Sequence, residues 1–451
     1  MLHDSVSRAT FGSRIGVIFV TVGSAVGLGN IWRFPYMLGS NGGAAFLLIY
    51  LFCTLLLGLP VMIAEFYIGR HSKRNAAGAF QVIVPGTKYS LIGYNGVLAA
   101  FLILGFYFVI SGWTLEYVFQ SLTSPLADQS VAEFKAAFKS FSTSVWRPIF
   151  WTLLFIAITH IIIVTGVKKG IERSSKFLMP VLFFILIVLC IRSLTLPDAG
   201  KGLEFLFKPD FSKLNSSVLL SAMGQAFFSL SVGMGCLITY SSYFSDRTNL
   251  QITALQVTII DTLVALLAGI MIFPAVFNFG IEPTEGVDLV FITLPNVFGK
   301  LALANVWSTI FFLLLAVAAL TSTVSLHEVA TAYLHEEKRI SRRKAALFVS
   351  LGTAGFAVLS SLSFGLLKDW TIFHLSIFDL LDYVTAKIML PLGGMFISIF
   401  VGWRVDKKIL KSELTNKGTT TFYFFTFYSF LLRYIAPVAI GLIFLNELNF
   451  I

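Results

Sequence analysis

Charge is what this chain has least of. Only 12% of its 451 residues are Asp, Glu, Lys or Arg, where soluble domains carry about 25%. Length alone would suggest about three soluble domains, but so little charge excludes that reading and points to one polytopic membrane domain. Cysteine is also scarce. Cys53, Cys190 and Cys236 each sit in an apolar run, so neither a disulfide framework nor a thiolate metal site follows from their spacing. Six histidines are scattered without ligand spacing. No HExxH, phosphate-binding loop or GxSxG elbow occurs, so no motif supports an enzyme. No cleavable signal peptide is read at the N-terminus, because a polar cluster interrupts the first apolar run.

What the chain has is hydrophobic length: 57% of residues are hydrophobic and 46 are Phe. Eleven segments reach about 18 apolar residues, enough to cross a bilayer. They span residues 15–38, 42–69, 91–121, 148–166, 177–194, 217–243, 251–280, 303–335, 345–366, 376–403 and 421–446. Several are long enough to require tilt or a break. The net charge of +10 is a matter of topology. With the N-terminus inside, 21 of the 33 Lys and Arg face inward and 9 outward, while Arg33, Lys387 and Arg433 lie within segments. That bias obeys the positive-inside rule and removes the case for a nucleic-acid partner. The expected location is the plasma (inner) membrane, with a cytoplasmic N-terminus and an extracytoplasmic C-terminus. Outer loops near 122–147, 195–216 and 281–302 carry amphipathic patches that predict short surface helices.

The most informative stretch is residues 23–35, GSAVGLGNIWRFP. In a helix interior glycine costs about 1 kcal/mol and proline about 3; an arginine at mid-bilayer costs at least ~2.5–3.5 kcal/mol. A helix carrying all three is expected to break, and irregular backbone at that depth must line a cavity or be buried in protein. The sixth segment repeats the pattern at residues 224–235, GQAFFSLSVGMG. Paired interrupted segments at matching places in two halves point to a transporter site. Asp261 lies deep in the seventh segment and needs a partner, for which a bound cation is the cheapest. In the eighth, Ala318 to Thr323 (AALTST) offers hard oxygen ligands for a small cation, although such hydroxyls commonly bond back to their own helix. Glu65 can cap amides freed by a broken helix. For Glu116, Glu328, Lys387 and Arg433 the default is snorkelling to the interface.

On these residues, above all GLGNIWRFPY at 27–36 and Gly224 to Tyr240, the chain resembles the neurotransmitter:sodium symporter family from end to end, and within it the prokaryotic eleven-helix branch that takes up hydrophobic amino acids. The resemblance implies an all-α polytopic fold with broken helices 1 and 6. Five helices (residues 1–194) are repeated in inverted form (217–403), and an eleventh (421–446) follows. It implies two sodium sites: the Ala25 carbonyl, Asn30, Ser229 and Asp261 for the first; the carbonyls of Gly23, Val26 and Ala318 with the hydroxyls of Thr321 and Ser322 for the second. An amino-acid substrate would meet Ala25, Leu28, Gly29, Tyr107, Ser229, Ser231 and Ser322 with its polar end. Ile103, Phe228, Met234 and Leu326 would receive its side chain. Tyr107 with Phe228 resembles an inner lid, Arg33 with Asp382 an outer gate and Arg8 with Glu336 an inner gate. Gly170 and Pro180 would frame a stretch of helix 5 that unwinds.

Two departures from relatives narrow the expectation. Many carry Asn, with a nearby chloride, where this chain has Asp261, so no chloride is expected. Monoamine carriers have an aspartate at Gly27, so a substrate bringing its own carboxylate is favoured. The alternatives are a proton-coupled amino-acid carrier of the same architecture, with Asp261 as proton site, and a non-transporting receptor or channel.

Overall fold

The computed structural model describes residues 9–127, 129–280 and 289–448, and among these it is helical with connecting turns and one isolated bridge, Ile372 to Leu375. Among the described residues, nine helices are long and apolar enough to span a membrane: α2 (Ala44–Ser72), α3 (Ser90–Thr123), α4 (Trp146–Val164), α5 (Val167–Leu194), α7 (Leu250–Asn278), α8 (Ala304–Glu337), α9 (Arg342–Leu362), α10 (Ile377–Arg404) and α11 (Phe425–Asn446). The remaining two expected spans are the broken ones. In α1, Arg14–Ala25 and Gly29–Ser40 meet at 53°. In α6, Ser216–Ser229 and Cys236–Ser241 are joined by six non-helical residues.

The breaks follow from local chemistry. In α6 the connecting residues Ser231, Gly233 and Gly235 have φ of +54°, +83° and +73°, a region glycine enters without steric cost. A Cβ on Gly233 would stand 2.6 Å from the Leu390 carbonyl, so the site also needs the missing side chain. Elsewhere the helices absorb their prolines without breaking. Five turns widened by one residue, Gly29–Arg33, Thr54–Gly58, Leu289–Thr293, Tyr383–Met389 and Leu431–Ile435, each end two residues before a proline. Proline cannot donate and crowds the carbonyl one turn back; an extra residue in that turn relieves both faults.

The long α3 and α8, 34 residues each, pack along one another at the centre. Along α8, residues 314–319 and 321–332 are buried on every face. The predicted loop helices form at Val131–Ser142, Ala199–Phe207 and Leu289–Gly299. The last is no surface element. Its residues are mostly buried, because Phe291 stacks among Trp113, Tyr117, Phe138 and Phe312.

Two acidic residues expected to snorkel are instead fully buried. Glu328 takes a two-pronged ion pair from Arg342 at the start of α9 and a hydrogen bond from the Tyr243 hydroxyl (2.7 Å). Glu116 accepts from Gln120, Arg147 and Trp151. Arg70 at the end of α2 is buried and donates to Glu413 (2.6 Å) on the helix Lys407–Leu414. Burial alone would raise the Glu413 carboxyl, but His71 and Arg70 beside it hold it at about 2.

A pKa depressed in the folded state stabilises above the unfolded value, and the gain is lost as pH falls towards the folded one. The contribution of the Arg70–Glu413 tie is therefore complete at neutral pH and lost between about pH 4.3 and about 2. Acid unfolding of Glu413→Gln in detergent will lack that component. Arg342→Met, which strands a buried carboxylate, will cost about 3–5 kcal/mol in thermal or denaturant unfolding. The Arg342→Met, Glu328→Gln pair will cost less.

Candidate functional site: a double ion and solute site at the helix breaks

The break in α1 sets the geometry. Its first half ends at Ala25, and the chain turns through residues 26–28 before the wide turn begins at Gly29. Asn30, on that turn, is fully buried. Its side-chain oxygen accepts from the Gly27 amide (3.1 Å), and its nitrogen donates to the Ser229 hydroxyl (3.0 Å) and to Asp261 Oδ1 (2.8 Å). Ser229, the last helical residue before the α6 break, donates to Asp261 Oδ2 (2.7 Å). One carboxylate of α7 thus meets both broken helices through neutral donors. Among the described residues no Lys or Arg pairs with Asp261, which is itself fully buried. Burying an ionised carboxylate so is costly without a charge partner, and the oxygens of Asp261, Ser229 and Asn30 are the hard donors that suit an alkali cation.

A second cluster lies on the other side of the break. The Thr321 hydroxyl of α8 donates to its own Ala318 carbonyl (2.9 Å) and approaches the Val26 carbonyl (3.4 Å). Gly23 faces it so closely that a Cβ there would be 3.3 Å from Thr321 Cβ and 3.5 Å from Met179 Sδ of α5. Gly23, Val26, Ala318 and Thr321 are therefore brought together. Ser322 turns the other way: a Cβ on Gly27 would stand 2.3 Å from its hydroxyl oxygen and 3.1 Å from the Tyr107 hydroxyl. That hydroxyl accepts from the Leu28 amide (3.2 Å). The Ser231 hydroxyl donates to the Ser24 carbonyl (2.7 Å), which fastens the two breaks together. Ile103, Met234 and Leu326 are all buried.

Phe228 covers the α1 break. It packs against Gly29, where a Cβ would be 2.9 Å from its ring, and carries the Arg33 guanidinium at 4.1 Å from its centroid. A cavity of about 30 Å³ lies beside this stack, lined by Arg33, Phe228, Ala386 and Leu390 among others. Asp382 lies one turn before Ala386 on the same helix. Glu336 accepts from the Asn75 amide and side chain (3.0 Å each), and Arg8 lies outside the described residues. Glu65 accepts from the Gly233 amide (2.7 Å), at the α6 break. Gly170 sits in the wide turn Val167–Glu172, and Pro180 lies inside the wound helix that follows.

The chain matches the profile of the sodium:neurotransmitter symporter family over residues 8–143 and 130–450. The chain belongs to that family. It is 38% identical to an uncharacterised sodium-dependent transporter, YhdH, of Bacillus subtilis (strain 168), over 97% of each chain. Identity to an uncharacterised sodium-dependent transporter of Haemophilus influenzae is 39%, over 99% of this chain and all of that one. A crystal structure of MhsT in complex with L-phenylalanine superposes with a TM-score of 0.90 at 46% identity, covering 98% of this chain and all of that one. This protein is therefore a sodium-dependent membrane transporter of the symporter family, and no enzyme.

Reading the sequence missed two participants. Tyr50 of α2 donates its hydroxyl to Ser229 (3.3 Å), and Gln225 donates to the Gly29 carbonyl (3.4 Å). Gln225 stands inside the α6 motif, a usable signal; Tyr50 is a lone hydroxyl in an apolar run and gives none. The fit around Gly27 yields a prediction. Gly27→Ala will drive a methyl into Ser322 and Tyr107 and lower sodium-dependent solute uptake into proteoliposomes at least tenfold.

Proposed function

We propose that this symporter imports hydrophobic and aromatic L-amino acids, each with sodium bound at two sites, by alternating access and without chloride. The observation that carries the reading is the Asp261 carboxylate, buried against Asn30 and Ser229 with no basic partner. A cation among these oxygens and the Ala25 carbonyl would neutralise it, and the fixed charge removes the need for an anion. The second sodium would lie among the carbonyls of Gly23, Val26 and Ala318 and the hydroxyl of Thr321, whereas the Ser322 hydroxyl, expected there as well, faces Gly27 and Tyr107 instead. A proton would have no use for that second oxygen cluster, which favours sodium over proton coupling.

The solute site follows from the same break. Its carboxylate would rest on the Leu28 and Gly29 amides and the Tyr107 hydroxyl, beside the first sodium, where Gly27 leaves room. The ammonium would face Ala25, the α6 carbonyls and the Ser229, Ser231 and Ser322 hydroxyls. Ile103, Phe228, Met234 and Leu326 make the rest apolar, and methionine adapts to varied shapes. A sodium and a carboxylate that touch raise each other's affinity reciprocally, which is the coupling. The shape shared with the phenylalanine complex of MhsT supports an apolar amino acid. Phe228 with Tyr107 then serves as lid, Arg33 with Asp382 as outer gate and Arg8 with Glu336 as inner gate. Glu65 supports the α6 break, and Gly170 to Pro180 opens to let the second sodium leave.

Uptake into proteoliposomes tests this directly. Replacing sodium with choline will abolish uptake of leucine or phenylalanine, and replacing chloride with gluconate will leave it unchanged. Asp261→Asn will acquire a chloride requirement. Loss of wild-type uptake in gluconate would refute the role given to Asp261, and uptake driven by a proton gradient in choline would favour the proton-coupled reading. Pro180→Ala will slow sodium release on the inner side.

A further inference from the structure

Helices α1 and α5 pack along one another, and two close glycine contacts between them share one register. At the outer one, Gly23 faces Met179 beside the Thr321 cluster. Seven residues earlier on each helix, Gly16 faces Glu172, so closely that a Cβ on Gly16 would fall 2.1 Å from Glu172 Oε1. Seven residues are two turns, about 10 Å along the axis. The lower contact thus lies on the same seam as the cation cluster, directly inward of it.

Glu172 is only 3% exposed and is held from two elements. It accepts from the Gly12 amide (2.7 Å) and the Ser13 hydroxyl (3.3 Å) of the segment entering α1, and from Lys176 Nζ (2.6 Å) on its own helix. Ser13 is also the N-cap of α1, accepting from the Gly16 amide (3.0 Å). Glu172 is the last residue of the widened turn Val167–Glu172. Within that turn Gly170 fits against the Ile162 carbonyl and the Thr165 hydroxyl, where a Cβ would be 2.0 and 2.3 Å away.

We infer that Glu172 is a positioning residue that makes release of the α1 entry segment and opening of the α5 turn a single event, and so sets when the Thr321 cluster is reached from inside. The carboxylate keeps its three donors only while residues 167–176 are wound, because Lys176 reaches it from the next turn. Unwinding that turn carries the carboxylate away from Gly12 and Ser13. The α1 entry then loses an acceptor and its capping hydroxyl a partner, and the seam below Gly23 parts. This rests on the reading that the α5 turn opens during transport.

Hydrogen exchange of the full-length protein in nanodiscs, without sodium, tests the tie apart from that reading. Glu172→Ala will speed amide exchange by about tenfold, the loss of one charge-assisted hydrogen bond, in residues 12–16 and 167–172 together. Gly16→Ala, which displaces the carboxylate but keeps its charge, will do the same and serves if Glu172→Ala fails to fold. Sodium release into the liposome lumen will accelerate in both. Faster exchange in 167–172 with 12–16 still protected overturns the inference. Faster exchange in both segments with sodium release at the wild-type rate supports the tie and overturns the exit route through α5.

Discussion

A carboxylate that no basic residue reaches, among those described, is the constraint on which the structure turns. Asp261 sits at full depth in α7, and its hydrogen bonds come from Asn30 and Ser229. Those two residues stand at the breaks of α1 and α6, so the acid ties both irregular segments to a continuous helix. Without the breaks the backbone oxygens near it would be spent inside helices. Without the acid, two interrupted helices would face each other with little reason to stay in register. The site and the fold defect are one arrangement.

The strain this requires is confined. The prolines of five other or adjoining stretches are accommodated by one-residue wide turns that keep the helix running. True interruption is reserved for residues 26–28 and 230–235. Around them the protein spends its polar side chains on the exposed backbone: Glu65 on the Gly233 amide, Tyr107 on the Leu28 amide, Ser231 on the Ser24 carbonyl. Unsatisfied amides at this depth would each cost several kcal/mol. The long, buried α3 and α8 supply the rigid wall against which the breaks are held.

Much of this was legible in the sequence, because its signals are local. Glycine, asparagine, arginine and proline crowded into residues 23–35 contradict an unbroken span, and an aspartate within an apolar run demands an explanation by itself. Asn30, Ser229 and Asp261 lie together in the fold, as do Gly23, Val26, Ala318 and Thr321, whereas Ser322 turns towards Gly27 and Tyr107. What stayed hidden depends on partners distant in sequence or on packing. Glu328 read as a snorkelling acid because Arg342 belongs to the next helix. The helix at Leu289–Gly299 read as superficial because the aromatic nest around Phe291 is assembled from three other elements. Glu172 carried no signal at all, since its partners Gly12 and Ser13 lie some 160 residues away.

On the function proposed above, one buried acid makes one sodium site, and this site alone is shared with the substrate. Equilibrium binding of radiolabelled sodium to the purified protein, with and without leucine, tests it most directly. Two sodium ions per chain are expected, falling to one in either Asp261→Ala or Thr321→Ala. Leucine will still tighten the remaining ion in Thr321→Ala but not in Asp261→Ala. Two ions retained in Asp261→Ala, or leucine tightening the ion left in that variant, would contradict it.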